Sequence, residues 1–357
     1  AGLQPAELGN AKMWVITSEI AAGAMRIYAM HFRNRLVGKK TGKSYNHCMI
    51  KDTLLKWLLE GDISIQYQVQ RDLLGSDQKR LRSRIAKEGW GCEFLSHRLE
   101  NGHWGKSFYQ PKWTSTHYTL LDLKNLGISP TVPEIRQTIS MILKEEKGRD
   151  GGMNPSPTIG QSDVCINGMA LGYSSYFGAQ ESDLRSIVDF VLSQHMKDGG
   201  FNCRLNRSGA THSSMHTTIC TLEGFQVYFR NKYNYRVSEI QAAEEDAREF
   251  LLQHKLFRSH RTGDVIDTKM LMLSYPPRWH YDILRALDYF QAAGVGYDPR
   301  MQDALDVLIK KRLEDDTWPL QARHAGQTHF HMEKVGKPSR WNTLRALRVL
   351  NRFGIRN

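Results

Sequence analysis

Apolar residues along most of this chain return every three or four positions, not every second one. Ser182–His195 has Leu184, Ile187, Val188, Val191 and Leu192 at helical spacing. That is the stripe of a helix with one buried face. Pro133–Lys144 and Asp298–Lys311 repeat it, with charges on the opposite side. These segments predict a set of outer helices. A second set mixes Ala, Gly, Ser and Thr among its apolar residues: Thr114–Leu126, Asp163–Phe177, Ser213–Phe229, His280–Ala292 and Asn342–Asn351. Small residues allow close approach, so these read as inner helices buried on most sides. Strand patterns are weak.

The two sets alternate, and short turns punctuate them. Asn101-Gly102-His103-Trp104, Asp150-Gly151-Gly152-Met153 and Asp198-Gly199-Gly200-Phe201 follow one another at steps of 49 and 48 residues. Asp315-Asp316-Thr317-Trp318 is a degenerate copy. An Asx-Gly pair suits a left-handed backbone and so ends a helix. Residues 50–98 form an irregular first repeat. The chain is therefore predicted to be all-α, with five or six stacked helix hairpins over residues 49–357 and a basic N-terminal extension over residues 1–48. Periodicity does not separate an open solenoid from a closed ring. In a ring, the inner-helix N-termini would share one rim and favour anions there.

Composition narrows the class. Of 357 residues, 40% are hydrophobic and 24% charged, which excludes a disordered or collagenous chain. No run reaches the roughly 18 apolar residues of a transmembrane segment. The start shows no secretory-signal pattern, and five scattered cysteines read as reduced thiols, so the expected location is cytoplasmic. The net charge is +12, of which the first 48 residues carry +5. No nucleic-acid module is visible, so no nucleic-acid partner is expected. Ile16–Arg35, with Arg26, Arg33 and Arg35, is expected to dock on the ring, with peripheral contact to lipid or a second subunit as the alternatives.

The Asp-Gly-Gly-Phe turn and the preceding Gln194 resemble the repeats of squalene cyclases and protein prenyltransferase β subunits, over roughly residues 50–353. The resemblance implies an α/α toroid, one ring of helices inside another. Gly151-Gly152-Met153-Asn154 followed by Asp163-Val164-Cys165, and then Met215-His216-Thr217, resembles the zinc-binding segments of the prenyltransferase β subunits. By that likeness Asp163, Cys165 and His216 are ligands to Zn2+. Three protein ligands leave a fourth position open, which suits activation of a thiol or water. On residue type alone the same three also read as a helix cap, a buried cysteine and an unrelated histidine. Two departures stand out. Residues 156–162 lack the basic residues that would hold a diphosphate, and Ile166 stands where the family has tyrosine. The Asp-x-Asp-Asp acid of the cyclases is absent as well.

Other candidates surround this core. Glu223 lies seven residues after His216, two helical turns on and on the same face; it is a candidate acid or base, or a salt-bridge partner for Arg285. His280 and Asp282 make one inner-helix start unusually polar and are also candidate catalytic residues. Trp113, Trp279 and Trp341 open three inner helices and would offer aromatic faces to an apolar chain or a cation. Arg258 and Arg261, in the basic loop 258–264, would supply phosphate donors. His212 is a weaker candidate, and His324, His329 and His331 match no strong zinc spacing. The expectation is a zinc-dependent, prenyltransferase-like enzyme holding an apolar, isoprenoid-type molecule in an apolar cavity, with a thiol acceptor. The alternatives are a metal-independent terpene cyclase-like enzyme and a non-catalytic binding toroid.

Overall fold

The computed structural model describes residues 50–156, 158–204 and 208–355. The expected N-terminal extension, residues 1–48, lies outside them.

The inner helices are α2 (Ile63–Asp72), α5 (Thr116–Leu126), α7 (Val164–Tyr176), α9 (Met215–Arg230), α11 (Ile283–Ala292) and α13 (Arg340–Phe353). The outer ones are α6 (Pro133–Glu145), α8 (Glu181–Ser193), α10 (Val237–Gln253) and α12 (Gln302–Lys310). Shorter helices α1 (Asp52–Leu59), α3 (Lys79–Arg84) and α4 (Gly89–Ser96) complete the first repeat. The described strands are a two-residue antiparallel pair, β1 (Trp318–Pro319) and β2 (Pro338–Ser339). The protein is thus all-α, an α/α toroid.

Outer helices bury a single stripe. In α6 it is Ile135, Thr138, Ile139, Ile142 and Leu143, with Pro133 at the first position and Glu134 against the positive helix end. Inner helix α7 buries nearly its whole circumference. Its partner α9 approaches closely because neither carries side chains at the contact. A Cβ on Gly224 would stand 2.2 Å from the Gly168 carbonyl oxygen, and one on Gly168 would stand 2.7 Å from the Thr221 Cα. The expected helix start at His280 falls three residues early. Asp282 instead caps α11, its carboxylate accepting the Arg285 N–H at 2.8 Å.

The repeated turn has one construction. Gly102, Gly151 and Gly199 adopt φ of 87°, 83° and 90°, and Asp316 takes the same place in the degenerate copy at 64°. The next residue but one then meets the following inner helix. The N–H groups of Trp104, Met153, Phe201 and Trp318 donate to Thr116, Asn167, Thr218 and Thr343. Asp150 and Asp198 anchor Ser162 and Ser213 just before α7 and α9. The Trp104 and Trp318 indoles donate back to carbonyls ten residues upstream. One short sequence therefore joins an outer helix to the next inner one.

The ring closes. Gln68 on α2 donates to the carbonyls of Asn125 and Leu126 at the end of α5 and accepts from Arg348 on α13. Arg348 also pairs with Asp72 at 2.5 Å. First, second and last inner helices are joined through one side chain.

Candidate functional site

The starts of α7 and α9 lie side by side, with the segment after the Asp198–Phe201 turn laid against them. This brings Cys203 to Cys165. The Cys203 sulfur accepts the Cys165 N–H at 3.1 Å and the Thr217 hydroxyl at 3.5 Å. Cys165 sits in the first turn of α7, so its N–H is one of the otherwise unpaired donors of a helix start. The two thiols interact, so that Cys203 is pulled below the ordinary thiol range while Cys165 is pushed well above it by that neighbour and by burial. The two thiols therefore titrate as a pair rather than independently. Asp163 caps the same helix by position, its carbonyl accepting from Asn167.

His216, in the first turn of α9, faces elsewhere. Its Nδ1 accepts the Tyr281 N–H at 2.8 Å, and its ring meets Trp279 edge-on at 5.2 Å. His280 is stacked between Trp279 and His324, each at 3.7 Å. Burial, and for His280 its histidine neighbours, lower these rings to about 4 for His216, about 3 for His280 and about 4 for His324. All three are neutral at pH 7. The ammonium of Lys112 lies 4.8 Å from the Trp113 ring centroid and 5.2 Å from that of Trp279, so this aromatic pair already holds a cation.

These contacts test the expected zinc site. A neutral imidazole that accepts at Nδ1 carries its hydrogen on Nε2, the reverse of what an Nε2 metal ligand needs. Among the described residues, no three His, Cys, Asp or Glu side chains converge as a metal-ligand group. Asp163, Cys165 and His216 in this arrangement do not fit zinc.

Glu223 is not placed as an acid. Burial alone would raise its carboxyl, but the bidentate Arg285 pair at 2.8 and 2.7 Å, with Lys124 near, holds it below its ordinary value. Asp282 is raised by burial, yet it is committed to its helix cap and to the Ser274 hydroxyl. Trp341 is buried between layers, stacked on Tyr275 at 4.6 Å. The Trp113 indole donates to the Ala325 carbonyl. Arg258 bonds Asp303 and the Gly263 carbonyl, fixing its own loop. Arg261 is exposed and lines an open groove of about 1460 Å³ that runs past His212 to His216. His329 bonds Thr119 and His331 lies by Thr328; with His324 they line one cavity of about 240 Å³, but among the described residues they form no metal-ligand group.

A second cavity, of about 380 Å³, lies among the inner helices towards their C-terminal ends. It was expected to be apolar. Its wall carries Glu223, Asp288 and seven arginine and lysine side chains.

Sequence reasoning missed Cys203 and Lys112. Cys203 follows the repeated turn by two residues, the point at which the chain crosses the start of the previous inner helix, and that position was the available signal.

No family model matches the chain, and no curated protein does. Among solved structures, the chain resembles a type II terpene cyclase from Scytonema in complex with its product, merosterolic acid A. The likeness is 12% identity over 85% of this chain and 99% of that one, with a TM-score of 0.33. Among the described residues no helix is long and apolar enough to cross a membrane.

Proposed function

We propose that this toroid is an enzyme working by thiolate chemistry, with Cys203 as nucleophile and Cys165 as the thiol that keeps Cys203 deprotonated. The observation that supports it is the pair of donors on one sulfur, a helix-start N–H and a hydroxyl, with a second thiol interacting with it. In the step, the Cys203 electron pair forms a bond to an electrophilic carbon as the bond to the leaving group breaks. Cys165 retains its proton throughout. The electrophilic carbon is carried by an apolar, isoprenoid-like molecule. No proton donor of the cyclase kind is required.

Alkylation by iodoacetamide, followed at each cysteine by mass spectrometry from pH 6 to 9.5, tests the thiolate. Cys203 is expected to react first among Cys92, Cys165, Cys203 and Cys220, with a midpoint below the ordinary value of about 8.5. Cys165→Ala should move that midpoint up. A Cys203 midpoint at or above the ordinary value would sink the reading. The metal-independent alternative would then pass to Asp122, a fully buried carboxyl that burial pushes up to about 6 despite its Arg278 partner. Elemental analysis belongs beside it: one zinc per chain, lost in Cys165→Ala, would restore a metal-activated thiol.

A further inference from the structure

The cavity at the far end of the inner helices has more donors than acceptors. Thr217, beside Cys203, and Gln226, in the cavity wall, are nine positions apart on α9, about 13 Å along its axis. The two places are separate.

Its carboxylates are already engaged. Glu223 is held by Arg285, Asp288 by Arg345, and Asp72, behind the wall, by Arg71 and Arg348. Asp122 pairs with Arg278. Arg230 caps the end of α11 through the Ala292 carbonyl, and four carboxylates thus meet the six other cations, a surplus of two positive charges. Donors are left over too. The Lys124 ammonium has three, and its one bond is to the neighbouring Asn125 side chain at 3.3 Å. Among the described residues, Gln226 Nε2 and Arg348 Nε have no acceptor. Burial lowers the Lys124 ammonium, and Glu223, itself held by Arg285, offsets this only in part.

Compensation of helix ends accounts for other cations but not for this set. Arg352 donates to the Gly294 and Val295 carbonyls beyond α11, and Arg82 to Gly127 beyond α5. Lys124 and Gln226 make no such bond. Unfilled donors in a cationic cavity want oxygen acceptors that carry charge.

We infer that this cavity binds a small oxyanion of two or more negative charges, a phosphate ester or polycarboxylate, through Lys124, Gln226 and Arg348. The volume, about 380 Å³, is that of a small-molecule site.

Calorimetric titration with inorganic pyrophosphate, at low and at high salt, tests this on the full chain. One site per chain is expected, weakening as salt rises. Lys124→Gln should weaken binding by about tenfold or more. Gln226→Leu, which removes no charge, should weaken it several-fold and serves if the lysine variant misfolds. Citrate competing for the same site marks a general polyanion pocket; inert citrate marks one shaped for phosphate, and either supports the inference. No saturable pyrophosphate binding at low salt, or equal affinity in both variants, would overturn it. Neither result bears on Cys203, whose alkylation profile is read separately.

Discussion

Cys165 and Cys203 show how far single residues could be read. The sequence picks out Cys165 through a likeness to a zinc-ligand position, and the structure gives it another use: its N–H, at a helix start, supports a second sulfur 38 residues on. The contact is between repeats, so no local spacing announces it. Glu223 went the other way, since both its roles were legible and the Arg285 pair is the one realised. Histidine protonation is the measurable consequence here. His216, His280 and His324 are neutral when folded, with values of about 4, 3 and 4. An unfolded histidine titrates near 6.5, so the unfolded chain binds more protons between these limits. Their contribution to stability is complete above about pH 6.5 and is lost as pH falls towards 4. Melting temperature should fall across that window, and His280→Gln should flatten the fall. An unchanged slope in the variant would mean that carboxylates govern it.

Elements were more legible than residues, because each obeys a short-range rule. The turn glycines, the single-stripe outer helices and the nearly all-buried inner ones follow from the pattern, with ends displaced by a residue or a few. Helix α10 escaped notice: Ile240, Ala243, Ala247, Phe250 and Leu251 keep helical spacing, but Glu244, Glu245, Asp246, Arg248 and Glu249 dilute it. The α7–α9 contact carries its own prediction. Gly224→Ala places a methyl against backbone, which cannot swing aside. It should cost about 1–3 kcal/mol, measured by urea unfolding, even though alanine is the better helix former. A neutral or stabilising result would show that the two helices can part at little cost.

For the whole molecule, repeats predicted the layers but not closure, nor the character of the interior. Closure depends on Gln68, which belongs to the irregular first repeat and has no counterpart in the others. The interior depends on Arg278, Arg285, Arg345 and Arg348, which are spread over two helices and a loop and look like ordinary surface charges in sequence. Only the ring turns them towards one another. Gln68→Leu keeps the volume and removes three bonds, two to carbonyls and one from Arg348. A loss of about 1–3 kcal/mol is expected, again by urea unfolding, and a variant as stable as the parent would mean that packing alone closes the ring.

That clasp also orders events during synthesis. Gln68 leaves the ribosome about 280 residues before Arg348. Until α13 follows, the face of α2 that it will cover has no partner, and the growing chain is an unclosed stack with bare ends. Closing so long a span costs about 5 kcal/mol of chain entropy, repaid only when the last helix arrives. A ribosome stalled shortly before that helix therefore displays the apolar edges that chaperones bind, and a stop codon there yields a product prone to aggregate rather than a smaller toroid.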